Sequence, residues 1–67
     1  MFIELTDAET KERLTVNVNK ICTIRPYFEG TRLFFETVQT LLVSEKYNEI
    51  KEMLWRLDLA DFSLSHK

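Results

Sequence analysis

The hydrophobic period of this chain changes once, near Ser44, and this change constrains the fold more than any other feature. Before it, apolar and polar residues alternate, as at Ile3 and Leu5 or at Leu14 and Val16. An alternation of period two is typical of half-buried strands. After Ser44, apolar residues recur every three or four positions, which indicates an amphipathic helix. We therefore predict an α+β domain in which an antiparallel sheet precedes one C-terminal helix.

The region before Ser44 divides into four or five short strands separated by polar or turn-forming residues. Pro26 is expected to end the third strand, because proline cannot donate to a central ladder. Gly30 is the only glycine and is expected to supply a positive φ in the following turn. We expect a small, strongly curved and barrel-like sheet with strands over residues 2–6, 13–18, 21–25, 31–36 and 41–43.

The helix is predicted over residues 44–57. Ser44 is a suitable N-cap, and Glu45 would lie in the first turn, where the helix dipole favours negative charge. Residues 1–57 would then form one domain, with residues 58–67 as a tail or a helix extension. The apolar stripe of this helix, which should face the sheet, consists of Tyr47, Ile50, Leu54 and Leu57.

A single domain of 67 residues buries only roughly 60% of its unfolded surface, so its core must be thin. Cys22 lies in an apolar β run and is expected to pack as a small hydrophobic residue. The other predicted core residues face inward from the strands and the helix: Ile3, Leu5, Leu14, Val16, Ile21, Ile24, Leu33, Phe35, Leu42, Tyr47, Ile50, Leu54 and Leu57.

The composition argues against the common classes of active site. One glycine excludes the glycine-rich phosphate-binding loops, and the only histidine, His66, is the penultimate residue. One cysteine cannot form an internal disulfide, and the carboxylates show no spacing that would bring two of them together. We therefore expect no enzyme activity, no catalytic or metal site and no cofactor.

The chain is also expected to be cytoplasmic. Its apolar runs are far shorter than the ~20 residues that cross a bilayer, which argues against membrane insertion. The first residues lack the basic segment and the cleavage site of a signal peptide.

A second apolar stripe on the helix provides the leading functional prediction. Trp55 lies away from the sheet-facing stripe, and if the helix continues, Leu59 and Phe62 fall near Trp55. Such a stripe predicts contact with another copy, with another protein or with the chain's own tail. We predict a non-enzymatic protein-interaction module that forms a homo-oligomer and binds a cytosolic protein through Trp55, Leu59 and Phe62.

An alternative prediction is a small β domain that binds single-stranded nucleic acid. Arg25, Tyr27, Arg32 and Phe34 are close together in the strand region, and such residues pair with phosphates and stack on bases. The net charge of −2 disfavours nucleic acid as a partner. These residues could instead form a solvated strand face with cross-strand Arg–Glu pairs.

Several short motifs occur in a recognisable order between residues 2 and 54. They are Ile3-Glu4-Leu5-Thr6, Val16-Asn17, Ile21 with Ile24, Pro26, Gly30-Thr31, Val43-Ser44-Glu45 and Tyr47-Asn48-Glu49-Ile50. This order resembles the FlbD-like family of small flagellar and swarming-motility proteins. The resemblance implies an antiparallel sheet with a C-terminal helix and an accessory role without catalysis. The partner would then belong to the motility apparatus, or would be a host factor if the chain comes from a mobile element.

Overall fold

The computed structural model describes residues 1–57, which form five strands, a short 3-10 helix and one α-helix. The predicted α+β class is confirmed. The elements are, in chain order, β1 (Phe2–Thr6), β2 (Arg13–Asn17), the 3-10 helix (Val18–Lys20), β3 (Ile21–Tyr27), β4 (Gly30–Phe35), β5 (Thr40–Val43) and α1 (Tyr47–Leu57).

The strands form two antiparallel sheets, whereas one sheet was expected. β1 pairs with β2, and the second sheet has the order β3-β4-β5. An isolated bridge between Asp7 and Val43 joins them, beside a hydrogen bond of 2.8 Å from the Ser44 N–H to the Thr6 carbonyl. β1 meets β5 only near Thr6, the last residue of β1, so no continuous ladder forms between the sheets.

Both sheets and the helix share one hydrophobic core. Burying an apolar side chain of this size stabilises a fold by roughly 1.5–3 kcal/mol. The core takes one buried apolar residue from each of β1, β2, β4, β5 and α1, in that order Leu5, Val16, Leu33, Val43 and Ile50.

Three residues predicted in the core, Leu42, Tyr47 and Leu57, lie outside the core cluster. β5 presents Leu41 and Val43 to the core, so Leu42 between them faces the opposite side of the sheet. On α1, Met53 and Leu54 complete the contact begun by Ile50. Leu57 in the last turn is 38% exposed.

β3 continues through Pro26 to Tyr27, so the prediction that proline ends this strand is wrong. β3 is an edge strand, where an N–H is not needed on the open side. Its other irregularity is a register shift between Ile21 and Thr23, which leaves Cys22 as an extra, exposed residue. The core position predicted for Cys22 is therefore also wrong.

The helix begins at Tyr47, later than predicted, and its N-cap is Lys46 and not Ser44. The Glu49 carboxylate accepts a hydrogen bond of 2.8 Å from the Lys46 N–H, which is one half of a capping box. The Ser44 N–H already donates a hydrogen bond to the Thr6 carbonyl of β1. The chain therefore leaves the sheet only after Ser44.

Glu45 joins the start of the helix to the sheets. Its carboxylate accepts hydrogen bonds of 2.9 Å from both the N–H and the hydroxyl of Thr6. It also lies 3.5 Å from the guanidinium of Arg13, and its backbone carbonyl accepts a hydrogen bond of 2.7 Å from the Thr31 hydroxyl. Glu45 therefore acts as a polar tie, whereas it was expected in the first helical turn.

Candidate interaction surface

The four residues of the predicted ligand face lie on one side of the three-stranded sheet. Arg25 on β3 is paired directly with Arg32 on β4. Tyr27 follows Arg25 by two positions and Phe34 follows Arg32 by two positions, so all four side chains share a face. The opposite side of the same strands packs on the core. We call these four residues the arginine–aromatic face.

Each arginine of this face lies over an aromatic ring of the neighbouring strand. The guanidinium carbon of Arg32 is 4.5 Å from the centroid of the Tyr27 ring, and that of Arg25 is 5.5 Å from the Phe34 centroid. Cation–π contacts at exposed sites contribute roughly 0.5–1 kcal/mol each. They also restrict the orientation of the two guanidinium groups.

The positive charge of the face is not compensated within residues 1–57. The ion pairs there involve Arg13, Lys20 and Arg56, and no described carboxylate lies within 4 Å of Arg25 or Arg32. The cross-strand neighbours of Arg32 are Arg25 and Leu42, so the suggested Arg–Glu pairing is wrong. Like charges directly opposite each other on adjacent strands are destabilising. Part of the Arg32 guanidinium, its Nε, is buried without a hydrogen-bond partner among the described residues.

The tip of the β3–β4 hairpin adds a fifth residue, Phe28, that the predicted set did not include. Its side chain is 90% exposed, and its ring packs edge-to-face on Tyr27 with 4.6 Å between centroids. Its backbone has a φ of 53°, which is uncommon for a bulky residue. Exposed aromatic residues with such backbone strain are often found in functional loops. The signal in the sequence is the adjacent aromatic pair Tyr27-Phe28, which ends two positions before the only glycine, Gly30.

The predicted stripe on the helix is only partly within the described residues. Trp55 is 51% exposed on α1, on the side that carries Lys51 and Glu52. Leu59 and Phe62 lie outside the described residues. The stripe of Trp55, Leu59 and Phe62 therefore stays a prediction.

Among residues 1–57, two titratable groups have clearly shifted pKa values, and both lie in the β1–β2 hairpin. A hydrogen bond from Arg13 to Glu4 raises the pKa of the Arg13 guanidinium. The backbone N–H groups of Thr10 and Glu9 lower the pKa of Asp7. Within residues 1–57, no group of three potential metal ligands is assembled. No helix in that range is long and apolar enough to cross a membrane.

Comparison with protein-family models, curated proteins and solved structures gives no match for this chain. The resemblance to the FlbD-like family therefore stays a prediction. The surface has to be interpreted from its own geometry and charge.

Proposed function

We propose that this chain is a non-enzymatic protein-interaction module that binds an acidic partner through the arginine–aromatic face. The observation that carries the proposal is the pair of opposed arginines, each over an aromatic ring and neither near a described carboxylate. Such a pair costs folding stability, because like charges face each other across two strands. A negatively charged ligand would remove this repulsion.

The residue types of the face favour a protein as the ligand. Arginine and tyrosine are among the residues that dominate the binding energy of protein interfaces. The guanidinium also binds carboxylates in a bidentate manner and is more weakly hydrated than an ammonium group. A cytosolic partner from the motility apparatus, or a host factor, would fit the proposal if it presents carboxylates to Arg25 and Arg32.

Single-stranded nucleic acid is the second candidate ligand. The exposed rings of Tyr27 and Phe28 stand beside the arginines, and aromatic residues in such positions can stack on bases. The net charge of −2 repels any anionic ligand, but it repels a long polyanion more than a short acidic segment, which ranks nucleic acid below the acidic protein. The salt dependence of binding distinguishes the two candidate ligands. Contacts to phosphates release counterions, so the affinity for nucleic acid should fall steeply as the salt concentration rises.

Self-association would use a different surface from partner binding. The arginine–aromatic face is on one side of the β3–β4–β5 sheet, and the core on which α1 packs is on the other side. Trp55 is on the outward side of that helix. A homo-oligomer formed through Trp55, with Leu59 and Phe62 if the helix continues, would therefore leave the arginine–aromatic face open for the partner.

The variant Arg25→Glu tests the proposed face. It places a carboxylate opposite Arg32, and the new cross-strand pair is worth roughly 0.2–1 kcal/mol. This pair should offset the lost cation–π contact of Arg25 with Phe34, worth roughly 0.5–1 kcal/mol, so the free energy of unfolding should change little. The same change should abolish binding of a synthetic peptide of alternating glutamate and tyrosine residues. Urea denaturation followed by circular dichroism measures the first effect, and isothermal titration calorimetry measures the second. A loss of binding without a loss of stability would separate a functional role from a structural one.

The matched control is Arg56→Glu, which makes the same charge change on α1. It should leave binding of the peptide unchanged. Undiminished binding by Arg25→Glu would contradict the proposal. Binding of oligothymidylate but not of the peptide, with a steep salt dependence, would favour the nucleic-acid candidate instead.

A further inference from the structure

We infer that the arginine–aromatic face continues into a basic groove, and that the two together hold one extended acidic segment of the partner. The inference rests on the proposed function and specifies the chemistry of the ligand. The groove lies between the hairpin tip and the end of β5 and has a volume of about 330 Å³. We define the basic groove by four of its lining residues, Lys11, Phe28, Leu42 and Lys46.

The face and the groove form one continuous surface. Tyr27 belongs to the arginine–aromatic face and also lines the groove. Leu42 lines the groove and is the cross-strand neighbour of Arg32. A ligand bound over Arg32 therefore reaches the groove without crossing any intervening element of the sheet.

The groove has the same sign of charge as the face. Neither Lys11 nor Lys46 forms an ion pair with another described residue. The Lys11 Nζ donates a long hydrogen bond of 3.5 Å to the Ser44 hydroxyl, and its charge helps to lower the pKa of Asp7, which lies outside the groove lining. The single carboxylate in the groove lining is that of the exposed residue Glu29. Two ammonium groups therefore outnumber the acidic group.

The shape and chemistry of this surface suit an extended peptide more than a folded domain. Arg25 and Arg32 lie directly opposite each other on adjacent strands, and Leu42 is the next residue in the same line across the sheet. Neighbouring strands are roughly 4.7–4.9 Å apart. An extended chain that crosses the strands could therefore present carboxylates to both arginines and continue over Leu42 into the groove. Beyond them the surface becomes concave, with apolar contributions from Phe28 and Leu42. An acidic segment with an aromatic residue near one end matches these features.

Two synthetic peptides test the inference on the full chain. The short peptide has alternating glutamates sufficient to span the arginine–aromatic face, and the long peptide adds an acidic and aromatic end that can enter the groove. We expect Lys11→Gln combined with Lys46→Gln to weaken binding of the long peptide by about fivefold. The short peptide should bind this variant as it binds the wild type. Isothermal titration calorimetry measures both affinities.

A matched control and a second measurement keep the test decisive. Lys51→Gln combined with Arg56→Gln removes the same charge from α1 and should change neither affinity. In nuclear magnetic resonance spectra of the wild type, the amide signals of Lys11 and Lys46 should shift with the long peptide only.

Failure of the inference and failure of the proposed function give different results. If both peptides bind and the groove variant binds the long one as tightly as the wild type does, the groove inference is overturned and the proposed face stands. If the wild type binds neither peptide, both are overturned. A mass above that of a monomer that persists in Trp55→Ala, in place of peptide binding, would indicate a second copy as the occupant of the groove, and would also overturn the inference.

Discussion

At the residue scale, Gly30 is required by a close approach between strands. It was expected to supply a positive φ, but its φ is not positive, and Phe28 adopts that conformation instead. A Cβ atom added to Gly30 would collide with the backbone carbonyl oxygen of Val43. Because backbone atoms of β5 cannot move without disturbing the ladder, Gly30→Ala should lower the free energy of unfolding by about 1–3 kcal/mol. Urea denaturation measures this loss.

The neighbouring variant Glu29→Ala is the control for Gly30→Ala. Glu29 is exposed in the turn, so its truncation should change the stability by less than about 0.5 kcal/mol. Equal denaturation midpoints for the two variants would show that β4 and β5 can separate without loss of stability. That result would contradict the close approach at Gly30.

Asp7 gives the fold a predictable response to acid. Its carboxylate accepts hydrogen bonds of 2.8 and 3.0 Å from the N–H groups of Glu9 and Thr10, which lower its pKa below the ordinary value of 3.8. A lowered pKa in the folded state stabilises the protein above 3.8, and this contribution is lost as the pH falls through the folded-state pKa. Asp7→Asn should therefore be less stable than the wild type at neutral pH, and the difference should shrink in acid. Urea denaturation at several pH values measures the difference in free energy of unfolding between the two proteins. A difference that does not change with pH would contradict the lowered pKa of Asp7.

At the scale of elements, local patterns predicted which segments form strands and helix but not where several of them end. β1, β2 and the middle of α1 follow their hydrophobic period closely, so they could be predicted. The helix start could not, because Ser44 is held by β1, which is remote in sequence. The bulge at Cys22 was equally hidden, although it explains why Ile21 and Ile24, three positions apart, both pack on the core.

The candidate site was predictable as a group of residues but not as an arrangement. Arg25, Tyr27, Arg32 and Phe34 could be singled out from their types and their nearness in the chain. That Arg25 faces Arg32 depends on the register of β3 with β4, which the two-residue turn after Tyr27 sets. A turn longer by one residue would change the pairing, and neither turn residue is a typical one for a tight hairpin.

The polar tie at Glu45 predicts how strongly the helix depends on the sheets. Glu45→Ala removes the acceptor of the part-buried Thr6 N–H and should cost about 1–3 kcal/mol of stability, because that donor is left unsatisfied. Glu45→Gln keeps one carbonyl acceptor and should cost less. Glu52→Ala, which removes only an exposed pair with Arg56 on α1, should cost less than about 1 kcal/mol. Urea denaturation ranks the three variants, and a loss for Glu45→Ala no greater than that for Glu52→Ala would contradict the role of the tie.

At the scale of the whole molecule, the fold separates two surfaces with different chemistry. The outward face of the β3–β4–β5 sheet is basic and aromatic, whereas the outward side of α1 carries the half-exposed Trp55. A small domain has only a thin core, so additional apolar burial between copies would stabilise it. Charge repulsion between two arginine–aromatic faces would in turn prevent copies from meeting through the sheet. These two effects would direct the proposed self-association to the helix.

The variant Trp55→Ala tests this arrangement. We expect the wild type to have a mass above that of a monomer in light scattering, and Trp55→Ala to lower the mass while the circular dichroism spectrum stays largely unchanged. Lys51→Ala, on the same side of α1, removes a charged side chain from that surface and should leave the mass unchanged. Because the arginine–aromatic face is on the other side of the sheet, Trp55→Ala should still bind the acidic peptide through each monomer. A wild type that remains monomeric at high concentration would contradict self-association, and loss of peptide binding by Trp55→Ala would contradict the independence of the two surfaces.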